Sequence, residues 1–542
     1  MYSNKQNVGI LTAMLVAHGV RHAVVCPGSR NAPIVHNLSV CPRITCYPVT
    51  DERSAGFYAL GLSLRLQAPV AVCVTSGSAL LNLAPAASEA FYQHAPVVFI
   101  SADRPAHQID QLMGQTLPQP DALGRMVRRA VSLPEPKDAA ESAWCIRLMN
   151  EAFAEMRRGE GGPVHINVPI SEPLFAFDSP QLPQVQIITL HRAGMSAATR
   201  DFLRGLTSAG RLLVCVGYSA DAELRALMRE DFPFPVLSEV YGARIAPIDE
   251  MLLRTQDDWA TYRPDTIIYI GGSFVSKRMK QFLQQTEGAR IVLVNADGRL
   301  ADPTTHATDV VEAPAAEVLE LLMASAHVTS VGDPYLRLWK DLAARVNAGI
   351  TSYFPDFSSF AAVRALSQAD PHAVWHVGNS SSVRLALGLH RAPVYVNRGV
   401  NGIEGSLSTA VGASLTGERT LCILGDLSFF YDQNALWNAG LRGNLRVLLL
   451  NNSGGSIFRT LPGLEQSPAR DALVMAQHTT SARGICQQCG VNYRIASKED
   501  ELPAAIDWLL HAPGERPFVL EVQTDAATDE HVLRDYYQHL TR

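Results

Sequence analysis

The chain has 542 residues, of which 47% are hydrophobic and 18% are charged, a composition typical of a soluble globular protein with sizeable cores. Its 46 basic and 52 acidic residues give a net charge of −6 and form no basic run, which argues against a nucleic-acid-binding surface. No window of 18 consecutive apolar residues predicts a membrane span. The N-terminal MYSNKQNVGILTAML predicts a first helix rather than a signal peptide, and nine scattered cysteines indicate a reduced, cytoplasmic protein.

Apolar runs that end in Gly, Ser or Asp alternate with helical patterns along the chain, which predicts α/β layers around parallel sheets. The first block contains HAVVCPG, PVAVCVTSG and APVVFISAD and ends in a Pro-rich stretch from Ser171 to about Gly194. The second block contains RLLVCVGYS, DTIIYIGGS and RIVLVNADG and ends at a break around Ser325 to Tyr335. The third block contains HAVWHVGNS, TLCILGD, LRVLLLNNS and RPFVLEV.

These blocks predict an α/β fold of three doubly wound parallel-sheet domains that span residues 1–178, 190–328 and 340–542. The first and third blocks share a similar order of strands, loops and helices, which suggests that these two domains are related. Ligands of open parallel sheets bind at the carboxyl ends of the strands. The residues that directly follow each apolar run are therefore the candidates for function.

Asp426 follows the strand-like run TLCILG, where a carboxylate is costly unless it is paired or binds a metal. The 24 residues 427–450 separate it from Asn451 and Asn452, and this distance fits a strand, a crossover helix and a neighbouring parallel strand. Asp426, Asn452 and the backbone carbonyl of Gly454 would then offer hard oxygen ligands suited to Mg²⁺. The alternative is that Asp426 only caps the N-terminus of the next helix.

Cys486 and Cys489 have the CxxC spacing found in redox and metal sites. A zinc site would require a second pair, which the sequence lacks. A thioredoxin-like site would place the pair directly after a strand, whereas this stretch has a helical pattern. We therefore interpret the spacing as a coincidence.

The GD–x24–NN pattern resembles the cofactor-binding motif of thiamine diphosphate (ThDP) enzymes, with Leu427 at a motif position that is often Gly. This resemblance implies a pyrimidine-binding domain, a central Rossmann-like domain and a diphosphate-binding domain. It also implies a homodimer, and we leave open whether dimers pair into tetramers. The cation would be Mg²⁺ or Mn²⁺, held by Asp426, Asn452 and Gly454. The residues implied to contact the cofactor are Glu52, Ile403, Gly425, Asp426, Ser428, Asn452, Gly454, Ile457, Phe458 and Leu461.

Glu52 in CYPVTDERSAGFYALG follows a strand and opens an apolar helix, and it matches the glutamate that activates the cofactor in ThDP enzymes. Such a carboxyl group exchanges a proton with the aminopyrimidine, and an apolar pocket would raise its pKa toward neutrality. The alternative is an ordinary Glu in a first helical turn, favoured by the helix dipole. By resemblance, Glu52 and the metal site of one cofactor pocket come from different subunits. Ile403 matches the apolar residue that props up the thiazolium ring, although ordinary core packing would also explain it.

Further segments resemble one ThDP family, the 2-succinyl-5-enolpyruvyl-6-hydroxy-3-cyclohexene-1-carboxylate (SEPHCHC) synthases of menaquinone biosynthesis. They run through the whole chain in family order and include PGSRNAP, TDERSAGFYALG, SADRP, GNSSSVR and NRGVNGIEGSLSTA. The resemblance implies decarboxylation of 2-oxoglutarate and a Stetter-like 1,4-addition of the succinyl fragment to isochorismate. It matches Ser380, Arg384 and Arg398 to residues that bind the carboxylate derived from 2-oxoglutarate. It matches a second set to residues that face isochorismate: Ser29, Arg30, Arg104, Gln115 and Lys277.

Three other interpretations stay open at this point. Each arginine could simply face water, although several at strand ends favour a polyanionic substrate, because Arg binds carboxylates in a bidentate manner. The chain could also be another ThDP-dependent 2-oxoacid decarboxylase or ligase. A non-catalytic ThDP- or nucleotide-binding regulator is a third possibility, although GYSAD and GGSFV in the central block are only partial matches to a dinucleotide fingerprint.

Overall fold

The computed structural model of the chain describes residues 1–208, 210–228, 232–239, 246–326, 333–461 and 463–542. It contains three sheets of six, five and six strands, in which neighbouring strands run parallel. The predicted fold class, three parallel-sheet α/β domains, is confirmed. The predicted end of the second domain, residue 328, lies outside the described residues. None of the described helices is long and apolar enough to cross a membrane.

The first sheet has the strand order β2-β1-β3-β4-β6-β5. Its strands are β1 (His22–Val25), β2 (Thr45–Pro48), β3 (Val70–Val74), β4 (Val97–Asp103), β5 (Arg129–Ser132) and β6 (Val164–Pro169). The helices of this part of the chain are α1 (Gln6–Ala17), α2 (Ala32–Val40), α3 (Glu52–Leu66), α4 (Ser78–Asn82), α5 (Ala84–Tyr92) and α6 (Ala139–Arg157). Every residue of β3 and β4 is buried, as expected for central strands covered by helices on both faces.

The second sheet has the strand order β11-β10-β9-β7-β8. Its strands are β7 (Leu212–Val216), β8 (Val236–Ser238), β9 (Thr266–Ile270), β10 (Arg290–Asn295) and β11 (Asp309–Glu312). The helices in this region are α7 (Ala197–Leu206), α8 (Ala222–Leu227), α9 (Ile248–Arg254), α10 (Trp259–Tyr262), α11 (Lys277–Gln284) and α12 (Ala315–Ser325).

The third sheet has the strand order β13-β12-β14-β15-β17-β16. Its strands are β12 (Trp375–Val377), β13 (Val394–Val396), β14 (Thr420–Gly425), β15 (Leu445–Asn451), β16 (Asn492–Ala496) and β17 (Phe518–Gln523). The remaining helices are α13 (Pro334–Ser352), α14 (Ser359–Ala369), α15 (Ser381–Leu389), α16 (Ser406–Ser414), α17 (Asp426–Tyr431), α18 (Arg483–Gln488), α19 (Leu502–His511) and α20 (Ala526–Thr541). The first and third sheets have the same strand order, which agrees with the suggestion that the two domains are related.

The chain forms two compact units. One comprises Met1–Arg192, Asn397–Thr420 and Tyr431–Leu445, and the other comprises Ala193–Val396, Leu421–Phe430 and Arg446–Arg542. The domain limits 1–178, 190–328 and 340–542 stay predictions.

Within the first unit, α16 packs closely against α3, and all residues of α16 are buried. A Cβ atom placed on Gly61 of α3 would lie 1.9 Å from the carbonyl oxygen of Thr409 in α16. One placed on Gly412 of α16 would lie 2.2 Å from the carbonyl oxygen of Tyr58. Glycine is therefore required on both helices, because any side chain would force their backbones apart.

Candidate active site

The carboxylate of Asp426 is buried at the carboxyl end of β14, with 3% of the residue exposed. Its Oδ1 accepts a hydrogen bond from the N–H of Leu427 at 2.7 Å, and its Oδ2 accepts one from the N–H of Gly454 at 2.9 Å. Nε2 of His478 lies 3.2 Å from the same Oδ2. A simple helix cap would need no contact with Gly454, which lies in the loop after β15.

The loop after β15 is shaped to bring Gly454 to Asp426. Ser453 has φ +67° and Gly454 has φ +147°, which is a conformation that favours glycine. A Cβ atom on Gly454 would also lie 2.8 Å from the carbonyl oxygen of Met475. The structure therefore brings two of the three predicted metal ligands, Asp426 and Gly454, into direct contact.

The two asparagines at the end of β15 are held in different ways. Nδ2 of Asn451 donates to Oε1 of buried Glu521 at 2.6 Å and to the carbonyl oxygen of Thr480 at 2.9 Å. Nδ2 of Asn452 donates to Oγ of Ser456 at 2.9 Å and to Oδ2 of Asp529 at 2.8 Å. Asn451 thus anchors the end of β15 to Thr480 and Glu521. Asn452 follows the end of β15, at the same edge of the sheet where Asp426 follows β14.

Burial is the main influence on the charge of Asp426. Removal from water raises the pKa of its carboxyl group, and the N–H groups of Gly454 and Leu427 together with His478 oppose that rise. A buried carboxylate of this kind is stabilised by a bound cation.

The predicted ligand set of Asp426, Asn452 and Gly454 has the chemistry that a hard divalent cation requires. It combines one carboxylate, one side-chain amide and one backbone carbonyl, all of which can offer oxygen. In the described part of the chain, no three His, Cys, Asp and Glu side chains cluster as a complete metal site. The donors at Asp426 therefore suit a cation such as Mg²⁺ that takes its other ligands from a phosphate group and water.

The other predicted cofactor contacts lie on the same elements. Gly425 ends β14, and Ser428 is buried in α17. Ile457 and Phe458 lie in a short 3₁₀ helix, Ser456–Thr460, and Leu461 follows it, all three half-buried.

Glu52 is the first residue of α3, in the first unit. The preceding Asp51 caps the helix by accepting the N–H of Ser54 at 3.1 Å, so Glu52 does not have that role. Glu52 is half-buried, and its Oε2 accepts a long hydrogen bond, 3.3 Å, from Nδ2 of Asn82. Its position in the first turn is compatible with both the catalytic prediction and the helix-dipole alternative.

A buried acid lies behind the start of α3. The side chain of Asp432 accepts the N–H and the Oγ–H of Ser408, each at 2.7 Å. Burial raises the pKa of Asp432 to about 7. Arg53, next to Glu52, lies over the ring of Tyr431 at 4.7 Å and donates to its carbonyl oxygen at 2.8 Å.

Four of the predicted isochorismate-facing residues lie on loops after strands of the first sheet: Ser29, Arg30, Arg104 and Gln115. Ser29 is exposed after β1. Nε of Arg104, after β4, donates to the carbonyl oxygen of Gly114 at 3.0 Å, so the structure brings this arginine beside Gln115. Gln115 is exposed with φ +57°, and its backbone lies against Gly77.

Arg30 is buried, in contrast to its neighbour Ser29. It donates to the carbonyl oxygen of Ile170 at 2.8 Å and to Oε1 of Glu172 at 3.1 Å. A substrate carboxylate that binds Arg30 would have to share the guanidinium group with the carboxylate of Glu172.

The loop that carries Arg398 and Ile403 is held by a glutamate that the sequence did not suggest. Glu89 of α5 is 1% exposed and accepts the N–H groups of Gly399 at 2.6 Å and Val400 at 2.8 Å. Burial raises the pKa of Glu89, and those N–H groups oppose the rise. Ile403 is 37% exposed, so it does not lie in an ordinary core.

The remaining predicted substrate residues lie in the second unit. Ser380 has φ +71°, and its carbonyl oxygen accepts a hydrogen bond from Nη1 of Arg384 at 2.8 Å, so these two residues are brought together. Lys277 is exposed at the start of α11. Buried Glu239 accepts the N–H groups of Val275 at 2.6 Å and Ser276 at 3.0 Å directly before it.

Sequence reasoning missed the residues that support the predicted ligands. These are Glu89, Glu239, His478, Glu521 and Asp529. Each reaches its partner across at least 36 positions of the chain, so no local pattern could reveal it.

Three family models of thiamine pyrophosphate enzymes match the chain; thiamine pyrophosphate is another name for ThDP. The N-terminal TPP-binding domain matches residues 8–123, the middle domain matches residues 231–373, and the C-terminal TPP-binding domain matches residues 376–522. Together they cover part of each of the three sheets.

Curated relatives match over nearly the full length. A SEPHCHC synthase of Bacteroides thetaiotaomicron is 41% identical, with 100% of both chains covered. One of Phocaeicola vulgatus is 42% identical over 100% of this chain and 99% of the relative. One of Desulfotalea psychrophila is 37% identical over 96% of this chain and 98% of the relative. The chain therefore belongs to the SEPHCHC synthase family of thiamine pyrophosphate enzymes.

Proposed function

We propose that the protein uses ThDP and a divalent cation, Mg²⁺ or Mn²⁺, to join two substrates. It decarboxylates 2-oxoglutarate and adds the succinyl fragment to isochorismate in a 1,4-addition, which yields SEPHCHC and CO₂ for menaquinone biosynthesis. The observation that carries the proposal is the buried carboxylate of Asp426, which meets the loop of Gly454 at the carboxyl end of β14 in a chain of this family.

The cation would be held by Asp426, by the side-chain oxygen of Asn452 and by the carbonyl oxygen of Gly454. Gly425 and Ser428 flank Asp426 and would lie beside the diphosphate. ThDP, when bound, supplies an electron sink for the electrons left by departing CO₂.

Glu52 would exchange a proton with the ring nitrogen of the aminopyrimidine through its carboxyl oxygen. By family resemblance, it does so at the cofactor bound by the partner subunit, which makes a homodimer the smallest active form. Ile403, Ile457, Phe458 and Leu461 would form the apolar walls that orient the cofactor and exclude water.

Two separate sets of cationic and polar side chains would bind the two substrates. Arg384 and Arg398, with Ser380, would bind the carboxylate derived from 2-oxoglutarate, because a guanidinium group pairs with a carboxylate through two hydrogen bonds. A second group would bind isochorismate, whose carboxylates call for the same chemistry. It comprises Ser29, Arg30, Arg104, Gln115 and Lys277.

One assay tests the proposal. Purified protein receives ThDP, Mg²⁺, 2-oxoglutarate and isochorismate, and each component is omitted in turn. We expect CO₂ release and isochorismate consumption to be coupled and both to require the cofactor and the cation. Steady decarboxylation without isochorismate would indicate a simple 2-oxoacid decarboxylase, and no turnover with ThDP bound would indicate a non-catalytic binding protein.

A further inference from the structure

Asp529, in the first turn of α20, faces the predicted metal ligand Asn452. Its Oδ2 lies 2.8 Å from Nδ2 of Asn452. We propose that Asp529 is a positioning residue that fixes the orientation of the Asn452 amide, so that Oδ1 of Asn452 is directed to the cation. This inference rests on the proposed function, because it requires Asn452 to be a metal ligand.

The chemistry of an asparagine amide makes such a residue necessary. The oxygen and nitrogen ends of the amide have the same shape and exchange places by a rotation of the amide group, but only the oxygen can bind a cation. Oγ of Ser456, the other partner of Asn452, both donates and accepts and therefore does not select one orientation. A carboxylate only accepts, so Asp529 selects the orientation in which the NH₂ group faces it.

Asp529 is itself held in place by three donors. Its Oδ1 accepts the N–H of Ser359 at 2.7 Å, and its Oδ2 accepts the hydroxyl groups of Ser359 at 2.7 Å and Thr524 at 3.1 Å. All these donors point to the same carboxylate, which therefore cannot turn away from Asn452 without losing several hydrogen bonds at once.

Two other residues of α20 anchor this helix, which carries Asp529, to its surroundings. Glu530, the next residue, pairs with Arg459 at 3.1 Å, and Tyr536 donates to Oε1 of buried Glu250 at 3.3 Å. Residues that hydrogen-bond to a metal ligand and so fix its orientation commonly contribute about 10–100-fold to metal affinity. We expect an effect of this size from Asp529.

The test uses the full-length protein with ThDP and Mn²⁺ as the probe, and it measures free Mn²⁺ by electron paramagnetic resonance. The variant is Asp529→Asn, which keeps the side-chain shape but can present an NH₂ group to the NH₂ group of Asn452. We expect the apparent Mn²⁺ dissociation constant to rise about 10–100-fold. The matched control is Asp525→Asn, which alters the N-cap of the same helix. It should leave the melting temperature close to that of wild type and the Mn²⁺ affinity within about twofold, because Asn and Asp cap a helix about equally well and residue 525 does not contact Asn452.

The outcomes separate this inference from the proposed function. Wild-type protein that binds Mn²⁺ with ThDP, beside an Asp529→Asn variant of equal affinity, overturns the positioning role alone. Wild-type protein that binds no Mn²⁺ with ThDP overturns both proposals. Should Asp529→Asn fail to fold, Ser359→Ala removes one donor to Asp529 and should weaken Mn²⁺ binding severalfold. An unchanged affinity in that variant counts against the inference.

Discussion

Two carboxylates each lie at the start of a helix, Glu52 after the edge strand β2 and Asp426 after the inner strand β14, and they have very different surroundings. Asp426 and Glu52 each start a helix that follows a parallel strand. Asp426 is 3% exposed and accepts two backbone N–H groups, with His478 beside it. Glu52 is half-buried and accepts one long hydrogen bond from Asn82.

The difference corresponds to the two tasks that we propose. A metal ligand must be held rigidly before the cation arrives, and Asp426 is held by backbone N–H groups of Leu427 in its own helix and of Gly454 in the loop after β15. A proton-exchanging carboxyl group must instead contact the cofactor, and its final surroundings would form when the cofactor and the proposed partner subunit are present. A carboxylate at the start of a helix would thus serve cation binding in one domain and proton exchange in the other.

The largest expected effect is that of Glu52→Gln on turnover. The amide cannot exchange a proton with the aminopyrimidine, so we expect kcat to fall about 10²–10⁴-fold, the usual contribution of acid–base catalysis. ThDP-dependent Mn²⁺ affinity should stay within about threefold of wild type, because Glu52 is not a metal ligand. Stopped assays of SEPHCHC formation and Mn²⁺ titrations measure the two quantities.

The control for Glu52→Gln is Glu141→Gln, which alters a first-turn glutamate of α6 in the same part of the chain. Both variants weaken an interaction with a helix dipole, so both should lower stability slightly. If Glu52→Gln had the turnover of wild type, the proposed proton exchange would be wrong, and the only remaining role of Glu52 would be its interaction with the helix dipole.

Asp426→Asn should act on binding rather than on chemistry. Replacement of the buried carboxylate removes the charged ligand. Loss of a residue that only supports a metal ligand weakens metal binding by up to about 100-fold, so we expect loss of the ligand itself to lower the apparent Mn²⁺ affinity with ThDP by at least about 100-fold. Isothermal titration and Mn²⁺ resonance signals check this loss. The buried acid Asp432, six positions later, offers a control, since Asp432→Asn should bind Mn²⁺ with about wild-type affinity. Similar losses in both variants would indicate general damage to the fold.

Much of this arrangement follows from local sequence patterns. The apolar runs predict the strands, and their carboxyl ends predict where Asp426, Asn452 and Gly454 lie. The contact between Asp426 and Gly454 agrees with the strand–helix–strand spacing, because parallel neighbours end at the same edge of a sheet.

Other features depend on tertiary structure and leave no local pattern. Asp529 lies 77 positions from Asn452, and Glu89 lies 310 positions from Gly399. The sequence matches Arg30 to a residue that faces isochorismate but gives no sign of its ion pair with Glu172 in the structure. Such pairs form only when distant elements pack together, so only a three-dimensional structure reveals them.

Gly61→Ala tests whether the close packing of α3 on α16 positions Glu52. The new methyl group would lie 1.9 Å from the carbonyl oxygen of Thr409, so the helices must separate, at a cost of about 3 kcal/mol in the free energy of unfolding. Turnover should fall because Glu52 starts α3, while Mn²⁺ affinity should change little. Gly205→Ala in α7 is the control, since its methyl group would meet no atom within 4 Å. It should have wild-type turnover and equal or slightly higher stability in urea.

The smallest expected effect is the pH dependence that Asp432 adds to stability. Burial raises its pKa from 3.8 to about 7, so the folded state holds the proton more tightly than the unfolded chain does. The stabilisation from this proton is therefore fully present below the unfolded pKa and is lost as pH rises through about 7. Between pH 5 and pH 8 we expect wild type to lose about 2 kcal/mol relative to Asp432→Asn. Melting temperatures of both proteins at pH 5, 6, 7 and 8 measure this difference. A difference that is independent of pH would show that Asp432 is already ionised in the folded state at pH 5, as Asp426 would be with a cation bound.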